Sequence, residues 1–190
     1  MKIYLAGPDV FLPDAIEIGR LKVEICARHG LIGLYPLDSA IDPRAKDASM
    51  GIFRANETMM IEADAIIANL TPFRGPGADA GTVYELGYMA GCGKLCLGYS
   101  NDPSFYADRV RELMEVRSRD GRLVDPLGLT VEDFGLNDNL MMMHALDLHG
   151  CAFVAPRQGP PDIWRDLSAF ETCVRLAAGR IASAKPLPLV

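Results

Sequence analysis

The regular alternation of short apolar runs with longer segments of helical character constrains the fold of this chain more than any other feature. Five short runs have the length and apolar composition of buried strands; they span residues 3–6, 31–35, 65–70, 94–99 and 151–155. Five longer segments have helical spacing or helix-boundary residues; they span residues 13–30, 52–63, 79–92, 105–117 and 161–182. Because strands that alternate with helices pair in parallel and need cover on both faces, the sequence predicts a three-layer α/β/α fold.

Chain length and strand order refine this prediction. With 190 residues and no linker-like segment, the chain is expected to form a single domain over residues 1–190. Five strands in this order predict a flavodoxin-like, doubly wound parallel sheet, and the Pro-rich tail at 185–190 cannot continue the last helix. Ligands of such sheets bind outside the carboxyl ends of the strands, which are followed here by residues 7–9, 36–38 and 71–79.

Composition and charge narrow the classes of partner. The formal net charge of −6 disfavours nucleic acid, and no apolar run approaches the ~20 residues that a membrane span needs. The chain opens on a strand-like segment too short for a signal-peptide core, and its five cysteines are odd in number and lack zinc-site spacing. We therefore expect a cytoplasmic protein with free thiols, no metal and no organic cofactor, which acts on small molecules.

Carboxylates and glycines concentrate where the third strand leads into the third helix. Asp79 is placed to cap that helix at the mouth of the cleft, and Gly81 lets a ligand approach the backbone closely. Glu85 shares a helix face with Gly81, and a carboxylate there can attack an electrophilic carbon, act as a base or hold a hydroxyl. Two plainer interpretations stay open at this point: Asp79 as a cap only, and Glu85 as a solvated helix residue.

Several other residues allow both a structural and a functional interpretation. Tyr4 fits the core of the first strand, yet its phenol could also orient a carboxylate at the start of the third helix. Asn56 and Asn69 lie beside apolar runs and could be structural amides. Met141 opens a Met-rich segment that favours a subunit interface over a cofactor site.

An ordered set of motifs resembles the nucleoside 2-deoxyribosyltransferase family over roughly residues 1–146. The motifs are YLAGP at 4–8, RANETMMIEAD at 54–64, ANLTPFRG at 68–75, D-x-GT-x-x-ELG at 79–87 and NLM at 139–141. The resemblance implies a flavodoxin-like subunit that exchanges the base of 2′-deoxynucleosides by double displacement, within nucleotide salvage and without a cofactor.

The resemblance also assigns the catalytic roles. Glu85 matches the family's nucleophile, which attacks C1′ of the deoxyribose and expels the base. Tyr4 matches the tyrosine that hydrogen-bonds and positions this carboxylate. Asp79 matches a residue that holds a sugar hydroxyl.

Further residues are implied to bind substrate. Asn139 matches a second residue that holds the sugar, supplied by a neighbouring subunit, which implies a homo-oligomer with shared active sites. Asn56 occupies the position of a base-contacting side chain, and Phe11 that of an aromatic residue that packs near the base. The predicted substrate-binding residues also include Gly7, Gly81 and Met141.

The chain departs from the family pattern at two places. Some members carry Asp where Asn56 stands, and that Asp can protonate the departing base, whereas Asn has no titratable proton. Some members also close the site with a C-terminal aromatic residue and carboxylate, whereas this chain ends in KPLPLV.

Three rival functions are compatible with parts of the pattern. A hydrolase of deoxynucleosides or of their 5′-monophosphates is the nearest, although Asp9, in the loop after the first strand, is expected to repel a phosphate and so to favour the free nucleoside. Phosphoribohydrolases share a Gly-Thr-x-x-Glu element, but Asp79 interrupts their PGGxGTxxE pattern. A non-catalytic nucleoside sensor would keep the pocket without needing Glu85 and Tyr4 together.

Overall fold

In the computed structural model, which describes residues 1–38, 44–150 and 153–183, a parallel β-sheet lies between two layers of helices. The strands of the sheet are β1 (Lys2–Ala6), β2 (Ile32–Leu34), β3 (Ala65–Asn69) and β4 (Leu95–Tyr99). The helices are α1 (Ala15–Arg28), α2 (Ala48–Glu62), α3 (Ala80–Gly91), α4 (Tyr106–Leu113), α5 (Leu140–His149) and α6 (Ser168–Ser183). Two 3₁₀ turns, Pro8–Phe11 and Pro36–Asp38, follow β1 and β2. Parallel pairing in the order β2-β1-β3-β4 confirms the predicted flavodoxin-like class.

Side-chain alternation along the strands divides the core into two halves. Ile3 and Leu5 of β1 pack with residues of α1 and α6 on one face of the sheet. Tyr4 and Ala6 pack with residues of α2, α3 and α5 on the other face. Because successive strand residues point to opposite faces, this parity places the Tyr4 phenol on the side of the helix that carries Glu85.

The predicted fifth strand is partly described. Val154 forms a parallel bridge with Tyr99 at the free edge of β4. The N–H of Val154 donates to the Gly98 carbonyl at 3.0 Å, and the N–H of Ser100 donates to the Val154 carbonyl at 3.0 Å. Residues 151 and 152 lie outside the described part, as does the Pro-rich tail at 185–190. Gly150 forms a second parallel bridge, with Cys96, so within the described residues the sheet has four strands and two bridges at the position of the fifth.

Four segments differ from the sequence-based prediction, and one of them is helix α5, which was predicted only as a Met-rich segment. Helix α2 begins at Ala48, before the predicted residue 52, and α6 begins at Ser168, after the predicted residue 161. Helix α4 ends at Leu113, before the predicted residue 117, and the region after it, where the sequence predicted no strand, contains an antiparallel hairpin of β5 (Arg117–Arg119) and β6 (Arg122–Val124). The hairpin escaped prediction because β5 is exposed and arginine-rich and thus lacks apolar alternation.

None of the helices in the described ranges is long and apolar enough to cross a membrane.

Candidate active site

A cavity of about 450 Å³ opens at the carboxyl ends of β1 and β2, against the first turns of α3. Six of the nine predicted site residues line it: Gly7, Phe11, Asn56, Asp79, Gly81 and Glu85. Apolar side chains cover much of the remaining wall, including Leu37 and Ile52. The cavity has the size of a small-molecule site and lies where the fold predicts one.

Glu85 and Tyr4 form the central pair of this site. The Tyr4 hydroxyl donates a hydrogen bond to Glu85 Oε1 at an O–O distance of 2.6 Å. Tyr4 is fully buried in β1, and burial together with the Glu85 charge raises the pKa of its phenol, which therefore stays protonated and donates. The contact joins residues that are 81 positions apart, so it depends on the packing of α3 over β1.

Burial raises the pKa of Glu85 from its ordinary value of 4.5 to about 7. The hydrogen bond from Tyr4 opposes this rise, the negative charge of Asp79 adds to it, and a hydrogen bond from Asn56 opposes it. Near neutral pH the carboxyl group is thus present in both protonated and ionised forms. The ionised form can act as a nucleophile towards a carbon that lies in the cavity.

Asp79 combines the two roles that its position suggested. Its Oδ2 accepts hydrogen bonds from the Thr82 N–H at 2.9 Å and from the Thr82 hydroxyl at 3.0 Å, so it caps α3. The same carboxylate lines the cavity beside Glu85. A Cβ atom at Gly81 would lie 3.1 Å from Asp79 Oδ2, so glycine at this position keeps the carboxylate uncrowded.

Asn56 projects from α2 into the wall of the cavity beside Glu85. Its amide acts as a hydrogen-bond donor to the Glu85 carboxylate and thereby lowers the pKa of Glu85. Its Oδ1 is buried and has no hydrogen-bond partner among the described residues. The contact with a base remains a prediction.

The 3₁₀ turn after β1 lies close against the end of β3. A Cβ atom at Gly7 would collide with the Asp9 carboxylate and would lie 2.7 Å from Asn69 Cβ, so this close approach requires glycine. Phe11 ends the turn at the cavity, with 56% of its side chain exposed.

Asp9 is not among the described residues that line the cavity, although the sequence led us to expect that it would repel a bound phosphate. It is 2% exposed and forms a buried ion pair with Lys22 of α1, while Asn69 Nδ2 donates to Asp9 Oδ1 at 3.0 Å. Asn69 Oδ1 in turn accepts from the Thr71 N–H at 3.0 Å, which makes Asn69 a structural amide. The expectation that Asp9 repels a phosphate was therefore wrong.

Sequence reasoning missed Lys22, although a signal for it exists. Ile18, Lys22 and Ile25 lie on one face of α1 with helical spacing, and this face is buried. A lysine on an apolar face needs a buried carboxylate partner, and Asp9 provides it.

Three residues that surround the predicted site residue Phe11, which lines the cavity, were also missed: Phe73, Arg74 and Trp164. Phe73 stacks on Phe11 with ring centroids 5.3 Å apart, and Trp164 meets Phe73 edge-on at 6.1 Å. The Arg74 guanidinium lies over Phe73 at 4.5 Å and over Phe11 at 5.2 Å. These residues come from three separate loops, so no local sequence pattern joins them.

The described residues that line the cavity do not include Asn139 or Met141. Asn139 caps α5, with its Oδ1 accepting from the Met141 N–H at 3.0 Å, and its Nδ2 donates to Glu132 at 2.7 Å. Met141 is 72% exposed. Within one subunit the two residues lie outside the site, and their supply by a neighbouring subunit stays a prediction.

Among the described residues there is no group of three or more His, Cys, Asp and Glu side chains that could hold a metal ion.

Comparison with known proteins gives concordant results. Residues 3–141 match the family model described as nucleoside 2-deoxyribosyltransferase. The chain is 32% identical to an uncharacterized protein of Schizosaccharomyces pombe, over 95% of this chain and 90% of that protein. A solved 2-desoxiribosyltransferase from Leishmania mexicana is 30% identical, with a TM-score of 0.61 over 92% of this chain and 97% of that one. A conserved protein from Enterococcus faecalis V583 shares the fold, at 21% identity and a TM-score of 0.57 over 92% of this chain and 97% of that one.

Proposed function

Because the chain belongs to the nucleoside 2-deoxyribosyltransferase family, we propose that it exchanges the base of 2′-deoxynucleosides by double displacement, with Glu85 as the nucleophile. The observation that carries this proposal is the 2.6 Å hydrogen bond from the buried Tyr4 hydroxyl to Glu85 Oε1 at the cavity. A solvated helix residue or a sensor has no need of a buried tyrosine that fixes one carboxylate oxygen at the cavity.

In the first step a Glu85 oxygen bonds to C1′ and the C1′–N bond breaks, so that the electron pair leaves with the base. The sugar carries positive charge in the transition state, which the adjacent carboxylate stabilises. Asp79 and Glu85 are the titratable side chains among the described residues that line the cavity. In this proposal Glu85 is consumed as the nucleophile and Asp79 accepts a hydrogen bond from the sugar. We therefore assign the proton that the departing base takes up to water.

The second step reverses the first with a different base. The nitrogen of the incoming base attacks C1′ from the face that the first base left, its proton goes to solvent, and the Glu85 carboxylate is released. Two inversions restore the β-configuration. If water attacks instead, the products are free deoxyribose and unmodified enzyme, so exclusion of water decides between transfer and hydrolysis.

The surrounding residues orient the sugar and the base in this proposal. The carboxylate of Asp79 is held by Thr82 and accepts a hydrogen bond from a sugar hydroxyl. Asn56 and Phe11 lie on the cavity wall, where they contact the base. Asn139 is supplied by a second subunit of a homo-oligomer, since it lies outside the cavity of its own chain.

Base exchange is tested by incubating the protein with deoxyinosine and free adenine and separating the products by chromatography. The expected result is deoxyadenosine with wild type and none with Glu85→Gln, a variant that keeps the side-chain size. A thermal unfolding scan of the variant confirms that it folds. Release of hypoxanthine and deoxyribose without deoxyadenosine would identify a hydrolase, and binding without any product would favour a nucleoside sensor.

A further inference from the structure

We propose that Arg74 forms an anion-binding subsite at the mouth of the cavity, which lets the enzyme accept 2′-deoxynucleoside 5′-monophosphates as well as free nucleosides. This inference rests on the proposed function, because it places the phosphate relative to a sugar whose C1′ faces Glu85.

The first observation is the position of the Arg74 guanidinium. It lies 5.2 Å from the ring of Phe11, which lines the cavity, and 4.5 Å from the ring of Phe73. Stacking on two rings holds an otherwise flexible side chain next to Phe11 at the edge of the cavity, while Arg74 as a residue remains exposed.

The second observation is that this cation lacks a counter-ion. No carboxylate in the described ranges lies within 4.0 Å of Arg74, whereas Arg109, Arg111 and Arg165 each pair with one. A planar guanidinium with free donors binds the oxygens of a phosphate monoester in a bidentate manner.

The third observation is the backbone conformation of Arg74. Its φ of 55° lies in the left-handed region, which glycine adopts freely and which strains residues with a Cβ atom. Asp120, the other non-glycine residue with positive φ among those described, lies between β5 and β6, and Asp tolerates this conformation in turns. Residues kept in such conformations cluster at active sites and ligand-binding loops, which supports a functional role for the loop that carries Arg74.

The fourth observation removes the electrostatic objection to a phosphate. The Asp9 charge is neutralised by Lys22 inside the protein, so it does not oppose an anion at the cavity mouth. The remaining carboxylates of the cavity are Asp79, which caps α3, and Glu85 of α3, and the proposed function assigns both to the sugar. The 5′-phosphate is separated from C1′ by the ring oxygen, C4′, C5′ and O5′, so it lies away from Glu85 and towards the rim.

The test compares deoxyadenosine with its 5′-monophosphate as donors in base exchange, using wild type, Arg74→Gln and the control Arg175→Gln. Arg175 is an exposed arginine of α6 that donates a hydrogen bond to the Thr172 hydroxyl at 3.0 Å, so the control makes the same change of charge elsewhere. We expect Arg74→Gln to lower kcat/KM for the monophosphate by about 10- to 100-fold, mainly through KM, because a charge-assisted hydrogen bond is lost. In Arg175→Gln the kcat/KM values for both donors should stay within about twofold of wild type, and in Arg74→Gln the loss should be larger for the monophosphate than for deoxyadenosine.

A second variant, Arg74→Gly, separates this role from a structural one. Glycine relieves the backbone strain at φ 55°, so its thermal midpoint should not fall, while its KM for the monophosphate should rise as in Arg74→Gln. A falling midpoint together with equal losses for both donors would mean that Arg74 only supports the loop, and the inference would be wrong.

Failure of the inference can be told apart from failure of the proposed function. If wild type exchanges deoxyadenosine but not its monophosphate, the inference is wrong and the proposed function stands. If wild type turns over neither donor, calorimetric binding decides: the inference requires the monophosphate to bind more tightly than the nucleoside, and this advantage to disappear in Arg74→Gln.

Discussion

At the scale of single residues, local rules were sufficient for the start of α3 but not for its surroundings. The cap at Asp79, the glycine at 81 and the placement of Glu85 on the same face follow from helix geometry, and the structure has all three at the cavity. The direction of Tyr4 follows from strand parity once the face covered by α3 is known. The inward position of Asp9 and the Arg74 stack could not be predicted, because both depend on contacts between loops distant in sequence.

The first prediction concerns the Tyr4 hydroxyl. Because its hydrogen bond lowers the pKa of Glu85, Tyr4→Phe should raise that pKa further above about 7. Glu85 must be ionised to attack, so the acidic limb of the pH profile of kcat/KM should move to higher pH. At its plateau, kcat/KM should fall about 10- to 100-fold, the size expected for a lost hydrogen bond to a charged group.

Tyr84→Phe is the matched control, since Tyr84 is on the same helix but 54% exposed. It should leave both the plateau and the acidic limb unchanged. An unshifted limb in Tyr4→Phe would show that the phenol does not act through Glu85.

The second prediction concerns the stability cost of the Glu85 charge. The pKa of Glu85 is raised from 4.5 to about 7 on folding, so the folded state holds this proton more tightly than the unfolded chain. Its contribution to stability is complete below pH 4.5 and is lost as the pH rises through 7. Glu85→Gln should therefore be more stable than wild type at pH 8, by at most about 3 kcal/mol, and similar to it at pH 4. Urea unfolding at the two pH values measures this difference, and a constant difference would contradict it.

At the scale of elements, the position of the turn Pro8–Phe11 depends on α1 as much as on β1. Lys22 crosses from α1 to the Asp9 carboxylate, and Asn69 at the end of β3 holds the other carboxylate oxygen. These contacts place the turn that carries Gly7 and Phe11 at the cavity. Five of the six α-helices described were predictable from periodicity and caps. Helix α5 was predicted only as a Met-rich segment, and the hairpin of β5 and β6 was not predicted, because the exposed, arginine-rich β5 carries no apolar pattern.

The third prediction concerns the buried ion pair of Lys22 and Asp9. Lys22→Met should lower the free energy of unfolding by about 3–5 kcal/mol, because it leaves the Asp9 charge buried without a partner. The double variant Lys22→Met/Asp9→Asn should recover part of the loss, since it removes the charge as well. Chemical denaturation of both variants measures the difference. Equal stability of the single and double variants would indicate that the charge of Asp9 is not what destabilises the single one.

At the scale of the whole molecule, the strand order and the layers were predictable from the alternation of strands and helices. The full extent of the fifth strand is not described, because residues 151 and 152 lie outside the described residues. The arrangement of subunits could not be predicted from the sequence of one chain, because the surfaces that form a subunit interface share no local periodicity. Asn139 lies outside the cavity of its own subunit, so the question at this scale is whether two subunits share one active site.

The fourth prediction concerns this sharing. Glu85→Gln and Asn139→Ala should each be inactive in base exchange, and mixing them under conditions of subunit exchange should restore part of the activity. Mixed oligomers contain sites in which Glu85 comes from one subunit and Asn139 from the other. Mixing Asn139→Ala with the Glu85→Gln/Asn139→Ala double variant is the control and should restore nothing. No recovery with the first mixture, despite proven exchange, would contradict the shared site.

The most direct test of the central proposal is to trap the covalent intermediate. Wild type is mixed with deoxyadenosine in the absence of an acceptor base, quenched in acid within the first turnover, digested and examined by mass spectrometry. We predict one added deoxyribosyl group on the peptide that contains Glu85, and none in Glu85→Gln treated in the same way. Rapid release of adenine without any adduct, or an adduct on another residue, would contradict Glu85 as the nucleophile.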